Sequence, residues 1–539
     1  MSALTTSPCS FGQAWLANDE VARQMMPEDA RKSSWQNQVQ KWTDKGIDPL
    51  LVRVISRQAQ RWKAPEEAQN MIEKLKSPRV VTVVTGQQCG FLLGPCYTLY
   101  KAISAIQWAA LYEKSTGRPT VPIFWLQSED HDDREIATAH VLDGNQVVPL
   151  TMPMDGQDRC SVAHRTLTSD LSSTLDALEQ IWSPQPFGSE VMHTVRETWS
   201  SGRRVIDAFA ESIYRLLGKL GLVIIDPRDP ELSALARPVH EQSIFESISI
   251  EATLNARSEQ LTQSGFKVQI PPRTDGTLSF FHPDGPSGPR YRIMRRGDHF
   301  QLSGRQRSLS ASEIRDALTT SPECFSTSAL LRPLLQECWL PTVATVVGPG
   351  ELSYFGQLSP LFELLDYRPP GVIPRAHARM WTLSWHRAYR KGHFTEADLS
   401  ETRDEVLTRL GQAYIDSAST QLREEALELP LKALDQFIAE SKKLDKGIVP
   451  YAERTRRTLE KSMTSLLNRH ARNVALRSEQ QTDRLDQLRA GLAPFRAPQE
   501  RVLTPLHFAT LYGEERLIEA LYRSLTPDRS GQLTEIELW

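Results

Sequence analysis

The residues best suited to catalysis or ligand binding form a short acidic block, Ser128–Asp133, which holds four carboxylates and one histidine. Carboxylates this close repel one another unless a proton, a cation or an ammonium group joins them. Such a block can supply a general base, ligands for a metal ion or a clamp for an amine. Capping of the next helix would explain one carboxylate but not the whole block. We therefore predict a functional site at Glu129, Asp130, His131 and Asp132.

Metal and thiol chemistry have weaker support in the sequence. The block contains one histidine, and no second histidine stands beside it on a helix face, so no catalytic zinc site and no tightly bound metal are predicted. The six cysteines include no C-x-x-C pair, which argues against a zinc knuckle or a redox dithiol. Scattered thiols are typical of a reducing compartment.

Two glycine-rich turns follow apolar, β-branched runs, and both are candidate anion sites. Thr85–Pro95 follows the run Val80–Val84, and Gly348–Gly350 follows Thr342–Val347. A turn between a buried strand and a helix offers free backbone N–H groups and the positive end of the helix dipole. The first turn matches neither G-x-G-x-x-G nor the P-loop pattern, so close helix–strand packing is an alternative reason for its glycines.

Four side chains near these turns extend the candidate set. Lys101, one turn into the predicted helix, could reach back to an anion, although most such lysines are solvated. Arg332 suits bidentate binding of a carboxylate or phosphate, with a structural salt bridge as the alternative. Glu351 lies in the first turn of its helix, and Tyr354 follows three positions later on the same face.

The segments around these residues alternate between predicted buried strands and predicted helices. A strand, a helix and a strand within about 45 residues form a βαβ unit, and the same order recurs later in the chain. This alternation predicts an α/β protein with a doubly wound, mostly parallel, Rossmann-like sheet. The predicted strands end at Val84, Leu126, Ile225, Val347 and Pro374, and the predicted helices cover 97–114, 205–219 and 328–339.

Other segments interrupt or follow this pattern. Segments at about 140–200 and 255–320 are predicted insertions, the second a small antiparallel one. The charged stretch Thr395–Leu492 predicts two helices of about 40 residues, each roughly 60 Å long, with a reversal at Lys446–Pro450 and a kink at Pro430. Helices this long favour a projecting antiparallel coiled coil, and possible homodimerisation through it, over a hairpin folded on the core. The predicted domains are 1–78 (helical), 79–385 (core), 386–495 (coiled coil) and 496–539 (packing on the core).

Composition limits the partners. The 539 residues carry 63 basic and 66 acidic side chains, a net charge of −3, so we expect neither nucleic acid nor an anionic membrane as a partner. The N-terminal segment lacks the basic and apolar regions of a secretory signal, and no apolar run reaches 18 residues. These features predict a cytoplasmic protein.

The three blocks together resemble the cysteine-adding enzymes of bacillithiol biosynthesis, the BshC family. The matching segments are TGQQCGFLLGPCYTLYKAISAI at 85–106, VPIFWLQSEDHD at 121–132, LRPLLQECWLPTVATVVGPGELSYFGQL at 331–358 and, more weakly, QERVL at 499–503. The resemblance implies a Rossmann-like core with connecting insertions and a C-terminal coiled coil. It also implies ligation of L-cysteine to the amine of glucosaminyl-malate, which yields the low-molecular-weight thiol bacillithiol.

The resemblance also implies a set of site residues in this chain. Beside the acidic block, these are Thr85, Gly86, Gln87, Gln88, Gly94, Pro95, Arg332, Gly348, Pro349, Gly350, Glu351, Tyr354 and Gln357. The chain departs from the family pattern at Cys89, Leu93 and Cys96, so neither cysteine is assigned a role.

Amide formation from a carboxylate and an ammonium group requires activation of the carboxylate and loss of a proton from the amine. We therefore expect ATP with Mg²⁺ as cosubstrate, although the sequence has neither a P-loop nor the HIGH and KMSKS signatures of class I adenylate-forming enzymes. The base, either His131 or a neighbouring carboxylate, and the activated intermediate stay open. Two other functions also stay open: a metal-assisted hydrolase that uses the acidic block, and a non-catalytic scaffold of the pathway.

Overall fold

The computed structural model describes residues 9–26, 44, 46–156 and 158–539, and these form two compact units. The first unit combines the described residues up to Val141 with Val148–Arg379 and Glu500–Leu538. The second unit comprises Leu142–Val147, Met380–Gln499 and Trp539. Parts of the predicted N-terminal helical segment, 1–8, 27–43 and 45, lie outside the described residues.

A five-stranded parallel sheet forms the centre of the first unit, and it confirms the predicted Rossmann-like core. The strand order is β5-β4-β1-β2-β3, and every neighbouring pair is parallel. Val, Ile and aromatic side chains bury the strands on both faces, which explains why the sequence reads as continuous apolar runs. The strands are β1 (Val81–Gln87), β2 (Thr120–Leu126), β3 (Val223–Ile225), β4 (Thr342–Val347) and β5 (Gly371–Pro374).

Four helices connect or follow these strands: α1 (Tyr97–Thr116), α2 (Val205–Leu217), α3 (Arg332–Trp339) and α4 (Pro349–Leu364). Helix α1 is buried along most of its length and packs Ala105, Trp108 and Tyr112 against β1, β4 and β5. The predicted helices are present with shifted ends. Helix α3 begins at Arg332 rather than 328, with Pro333 in its first turn, where a missing N–H group costs nothing.

The first strand is longer than the sequence predicted. Thr85, Gly86 and Gln87 pair with Phe124, Trp125 and Leu126, so they extend β1 instead of starting the turn. A Cβ atom on Gly86 would lie 3.0 Å from the carbonyl oxygen of Trp125. This glycine therefore permits close packing between strands, and the turn itself begins at Gln88.

The predicted small antiparallel insertion is present as a second sheet with its own apolar core around Ile293, Phe300 and Phe325. Its strands, in spatial order, are Ser308–Ser310, His299–Leu302, Tyr291–Arg296, Gly276–Phe281 and Phe325–Thr327. The remaining helices of the first unit that have eight or more residues are Pro49–Arg61, Glu66–Lys74, Leu171–Trp182, Gly188–Thr198, Ser233–Phe245, Ser247–Gln263, Ala311–Thr320, Pro505–Tyr512 and Glu514–Ser524.

The second unit is helical. Its two longest helices, Ser417–Leu444 and Val449–Leu476, form a hairpin that reverses at Lys446–Ile448. Each has 28 residues, about 42 Å, so the predicted length of about 40 residues was wrong. Asp416 caps a new helix by accepting the N–H of Ser419, and Ser478 interrupts the helical run at the other end. Pro430 lies inside the first helix without ending it.

Four shorter helices complete this unit: Leu383–Gly392, Glu396–Ser400, Arg403–Ala413 and Glu479–Leu492. Apolar side chains remain exposed on both long helices, for example Phe437 and Tyr451. Whether a second copy covers them stays a prediction. Across the described part of the chain, no helix is both long enough and apolar enough to cross a membrane.

Gly411 tests the packing of the second unit. A Cβ atom at this position would lie 1.8 Å from the carbonyl oxygen of Ala471 in the long helix Val449–Leu476. We expect Gly411→Ala to destabilise this unit by about 1–3 kcal/mol, because the two backbones must separate to admit a methyl group. Differential scanning calorimetry measures the loss. Gln412→Ala, at an exposed neighbouring position, is the matched control. An unchanged thermogram for Gly411→Ala would contradict this close approach.

Candidate active site

A cavity of about 430 Å³ lies at the carboxyl ends of the parallel strands. The strand order reverses between β1 and β4, and ligands of open α/β sheets bind beside such a switch point. Residues that follow β1, β2, β4 and β5 line the cavity, so four strand ends contribute to it. Side chains of both charge signs line it, and two groups of them are called here the acidic wall (Glu129, Asp130 and Glu135) and the basic wall (Lys101, Arg332 and Arg375).

The acidic wall is built on the turn that follows β2. Glu129 accepts hydrogen bonds from the backbone N–H of Thr327, at 2.9 Å, and from the Thr327 hydroxyl group. Asp130 accepts the amide of Gln88 at 2.5 Å, and Gln88 also donates to Glu135 at 2.9 Å. The first turn thus reaches the acidic block through Gln88, which ties the ends of β1 and β2 together.

Asp130 also binds the backbone of the two residues that follow it, His131 and Asp132. Its Oδ1 atom accepts the backbone N–H groups of His131, at 2.7 Å, and of Asp132, at 3.2 Å. These bonds close an Asx-type turn, which fixes the backbone of the two residues that follow Asp130. Neither His131 nor Asp132 lines the cavity, although both stand in the same block.

Lys101 is the centre of the basic wall. Its side chain is only 4% exposed, so it is not the solvated lysine that the sequence also allowed. The ammonium group donates to the carbonyl oxygen of Gly86 at 2.8 Å and to Gln87 Oε1 at 3.0 Å, and it forms an ion pair with Glu351. Glu351 also accepts the N–H of Gly348 at 2.9 Å. Burial lowers the pKa of Lys101, and the adjacent Glu351 opposes that change.

Arg332 lies beside this pair. Its Nη2 atom donates to the hydroxyl oxygen of Tyr354 at 2.8 Å and lies 3.9 Å from Glu351 Oε1. Burial raises the pKa of Tyr354 to about 12, so the phenol stays neutral at physiological pH. The sequence allowed either a structural contact or a ligand-binding position for Arg332. The structure is compatible with both, because the guanidinium binds Tyr354 and also lines the cavity.

Arg375 enters the basic wall from the residue after β5. Its Nη2 atom donates to Glu500 Oε1 at 2.5 Å, and both side chains are almost fully buried. Glu500 also accepts His377 Nδ1 at 2.9 Å and the N–H of Ala378 at 3.0 Å. Burial raises the pKa of Glu500, but the charge of Arg375 and these hydrogen bonds outweigh it, and the pKa lies at about 2.

Many of the predicted site residues line the cavity, and others do not. The cavity is lined by Gln87, Gln88, Lys101, Glu129, Asp130, Arg332, Gly348, Pro349, Gly350, Glu351 and Tyr354. Outside its lining are Thr85, Gly86, Gly94, Pro95, His131, Asp132 and Gln357. Thr85 donates to the carbonyl oxygen of Val346, and Gln357 bonds the backbone N–H and C=O of Ile270. The chemical roles of all these residues stay predictions.

Sequence reasoning missed several lining residues, namely Tyr97, Glu135, Arg290, Arg375 and Arg501. Arg375 directly follows the predicted strand Gly371–Pro374, so the rule that sites lie at strand ends could have found it. Arg501 lies inside the QERVL segment, whose resemblance to the family was a signal that could have found it. Arg290 lies beside an inserted strand, and no local pattern marks it.

No group of three or more His, Cys, Asp or Glu side chains within the described ranges is arranged to hold a metal ion. The carboxylates of the acidic wall are instead occupied by Thr327, Gln88 and backbone N–H groups. A divalent cation would therefore need ligands from a bound substrate in addition to these side chains, which is the usual situation for Mg²⁺.

The fold and the cavity define an α/β protein of the Rossmann-like class, with a polar ligand site of two charge signs at its switch point. Two family models match the chain: the N-terminal Rossmann-like domain of bacillithiol biosynthesis BshC over residues 4–376, and the C-terminal coiled-coil domain of the same family over 384–532. The chain belongs to the BshC family. These matches confirm both the Rossmann-like domain and the predicted coiled-coil domain.

Similar proteins carry one description, "Putative cysteine ligase BshC". The protein from Salinibacter ruber is 32% identical over 89% of this chain and 87% of its own length. The protein from Bacillus mycoides is 28% identical over 85% of each chain. The protein from Heliobacterium modesticaldum is 36% identical over 57% of this chain and 56% of its own length.

The ion pair of Glu500 predicts a pH dependence of stability. Because folding lowers its pKa from 4.5 to about 2, its contribution is complete above about pH 4.5 and is lost as the pH falls toward 2. The contribution is about 3 kcal/mol, since a pKa difference of one is worth about 1.36 kcal/mol. We expect Glu500→Gln to destabilise the first unit at pH 7 by a similar amount, and to flatten its stability between pH 4.5 and 2.

Chemical denaturation at a series of pH values measures this effect. Glu535→Gln is the control, because its ion pair with Arg379 is more exposed and such pairs contribute little. Equal slopes for Glu500→Gln and the wild-type protein between pH 4.5 and 2 would contradict the assignment.

Proposed function

We propose that this chain is a cysteine ligase, which joins the carboxyl group of L-cysteine to the amine of glucosaminyl-malate and so forms bacillithiol. Membership of the BshC family supports this reaction, since the similar proteins carry the description of a cysteine ligase. The observation that carries the proposal is a single cavity with an acidic wall and a basic wall. The reaction needs both, because the attacking group is an amine and all the substrates bring anionic groups.

The basic wall is suited to anionic groups of the substrates. Lys101, Arg332 and Arg375 approach from three different elements, and Gly348–Gly350 adds the N-terminus of α4. Arginine binds carboxylates and phosphates through paired N–H groups, so the malyl carboxylates or the phosphates of a nucleotide fit here. The carboxylate partners already present keep these cations oriented when no ligand is bound.

The acidic wall is suited to the amine. Glu129 and Asp130 would hold the glucosamine nitrogen as an ammonium group, and a carboxylate would first accept one of its protons, which frees the lone pair for attack on the activated carboxyl carbon of cysteine. As the C–N bond forms, the bond between that carbon and the oxygen of the activating phosphoryl or adenylyl group breaks, and the nitrogen releases a second proton to solvent. The hydrogen bonds from Thr327 and Gln88 fix the orientation of both carboxylates. A fixed orientation lowers the entropy cost of bringing the amine to the reacting carbon.

Activation of the cysteine carboxylate requires an energy source, and ATP with Mg²⁺ is the cosubstrate we propose. The support is thermodynamic, because water disfavours the direct condensation. Phosphate oxygens would complete a Mg²⁺ site that the acidic wall alone does not provide. The cationic side chains of the basic wall would neutralise the charge that develops on the phosphates.

Reconstitution from purified components tests the function. The protein is incubated with L-cysteine, glucosaminyl-malate, ATP and magnesium, with each component omitted in turn, and the products are analysed by mass spectrometry. We expect bacillithiol only in the complete mixture, together with one nucleotide product that identifies the bond cleaved. A folded protein that gives no product under any of these conditions would count against the ligase. Hydrolysis of a substrate in place of ligation would favour the hydrolase.

Asp130 tests the acidic wall. We expect Asp130→Asn to lower kcat about 10²-fold or more, because the amide can neither hold an ammonium group by charge nor accept its proton. The melting temperature should stay near the wild-type value, since the amide oxygen can still accept the two backbone N–H groups.

Asp132→Asn is the matched control for this experiment. Asp132 belongs to the same block, but its side chain is exposed and lies outside the cavity, so we expect near wild-type activity. Equal losses in the two variants would assign the effect to the charge of the whole block. Full activity of Asp130→Asn would remove Asp130 from the mechanism.

A further inference from the structure

Arg290 is a buried cation without a carboxylate partner. It precedes the inserted strand Tyr291–Arg296 and lines the cavity, and only 8% of its surface is exposed. No ion pair joins it to a carboxylate in the described part of the chain. An unpaired charge is costly to bury, so buried arginines normally have a counterion. Here the missing counterion is expected from a ligand.

The bonds of Arg290 orient its free donors. Nε and Nη2 donate to His131 Nδ1 at 3.2 and 2.8 Å, and Nη1 donates to the carbonyl oxygen of Thr327 at 3.3 Å. The guanidinium plane also lies over the ring of Phe280, with 4.5 Å between its carbon and the ring centroid. A guanidinium has five N–H groups, so one on Nη1 and one on Nη2 remain for a ligand. These two can bind an oxyanion side by side.

The nearby carboxylates, Glu129 and Asp130, do not bind the two free N–H groups of Arg290. The oxygens of Glu129 accept from Thr327, and those of Asp130 accept from Gln88 and from two backbone N–H groups. The negative charges of both carboxylates favour the charged form of Arg290, but neither carboxylate forms an ion pair with it. Because protein donors already hold these carboxylate oxygens, they do not turn toward Arg290, and its free N–H groups remain for an anion.

The contact with Arg290 also fixes the protonation state and tautomer of His131. An arginine N–H group can only donate, so Nδ1 of His131 must be the unprotonated acceptor and Nε2 carries the proton. A neutral imidazole in this tautomer has no free lone pair on the ring, so it cannot act as a base while the contact lasts. Burial and the charge of Arg290 lower the pKa of His131, which favours the same neutral state.

We propose that Arg290 binds an oxyanion of a substrate in the cavity, and that His131 positions Arg290 rather than removing a proton. The oxyanion is a carboxylate of glucosaminyl-malate or a phosphate of the nucleotide, and both present the same paired oxygens. This inference rests on the proposed ligase for the identity of the ligand. The geometry of the His131–Arg290 contact does not depend on that function.

Binding measurements test the role of Arg290 without turnover. Calorimetric titration with glucosaminyl-malate, and separately with ATP and magnesium, should show at least tenfold weaker binding of one ligand to Arg290→Lys. Lysine keeps the charge but loses the paired N–H groups. Weaker binding of glucosaminyl-malate identifies a carboxylate, and weaker binding of ATP identifies a phosphate. Unchanged binding of both would overturn the proposal.

Arg292→Lys is the matched control for these titrations. Arg292 lies two positions further along the same segment and also lies 4.5 Å from the Phe280 ring centroid, but it does not line this cavity. We expect wild-type binding in this variant. L-malate and inorganic phosphate serve as simple probes if the chain proves not to be a ligase, so failure of the function and failure of this inference are distinguishable.

Two variants separate positioning from base catalysis at His131. The amide oxygen of His131→Asn can replace Nδ1 as an acceptor, whereas His131→Ala leaves Arg290 without one. We expect kcat and KM within about threefold of wild type for His131→Asn, and a KM raised about tenfold with kcat retained for His131→Ala. A loss of 10²-fold or more in kcat for both variants would establish a base and overturn the proposal.

The pH profile gives a second readout. Protonation of Nδ1 replaces the acceptor with a donor, so anion binding to the wild-type protein should weaken below the ordinary histidine pKa of about 6.5. Asp130 and Asp132 favour this protonation, and Arg159 and Arg290 oppose it. In His131→Asn, anion binding should not weaken as the pH falls below about 6.5. The same weakening in that variant would assign the effect to another group and contradict the role of His131.

Discussion

The buried ion pair between Lys101 and Glu351 joins the two halves of the sheet at the point where the site lies. Lys101 comes from α1, which follows β1, and Glu351 comes from the first turn of α4, which follows β4. A charge in this position is tolerated only because its partner and its hydrogen bonds are all present. The ammonium group also holds the end of β1 through Gly86 and Gln87. The pair thus fixes both strand ends that form the switch point.

Segments distant in sequence support this arrangement. Glu500 orients Arg375, and the carbonyl oxygen of Leu503 accepts the N–H of Cys96 at 2.9 Å. Thr504 donates to the carbonyl oxygen of Leu92, in a turn where Leu92 and Leu93 both have positive φ values, 49° and 72°. Such conformations are strained for residues with a Cβ atom and persist only where the surroundings impose them. The QERVL segment and the residue after it therefore help to shape the first turn.

The inserted antiparallel sheet completes the other side of the site. Thr327 holds Glu129, and Arg290 contacts His131, so the acidic block is positioned by residues more than 150 positions later in the chain. The insertion therefore holds Glu129 and contacts His131, whereas Gln88 from the end of β1 holds Asp130 and Glu135.

The succession of strands and helices along the chain could be predicted from the sequence, because continuous β-branched runs and helical periodicity are local signals. The sequence also located the blocks around Glu129, Lys101 and Glu351, since polar residues at the ends of parallel strands meet at one edge of the sheet. It placed the end of β1 too early, because the glycine of a close strand contact has the same local appearance as the glycine of a turn. It made the long helices too long, because their interruptions depend on single capping residues.

Which members of each block line the cavity became clear from the folded structure. Glu129 and Asp130 line it and His131 and Asp132 do not, although all four are consecutive. Arg290, Arg375 and Arg501 reach the cavity from separate parts of the chain, and their placement depends on contacts with no sequence period. Side-chain direction and burial are properties of long-range packing, so local patterns could name the candidate residues but could not tell which of them share a site.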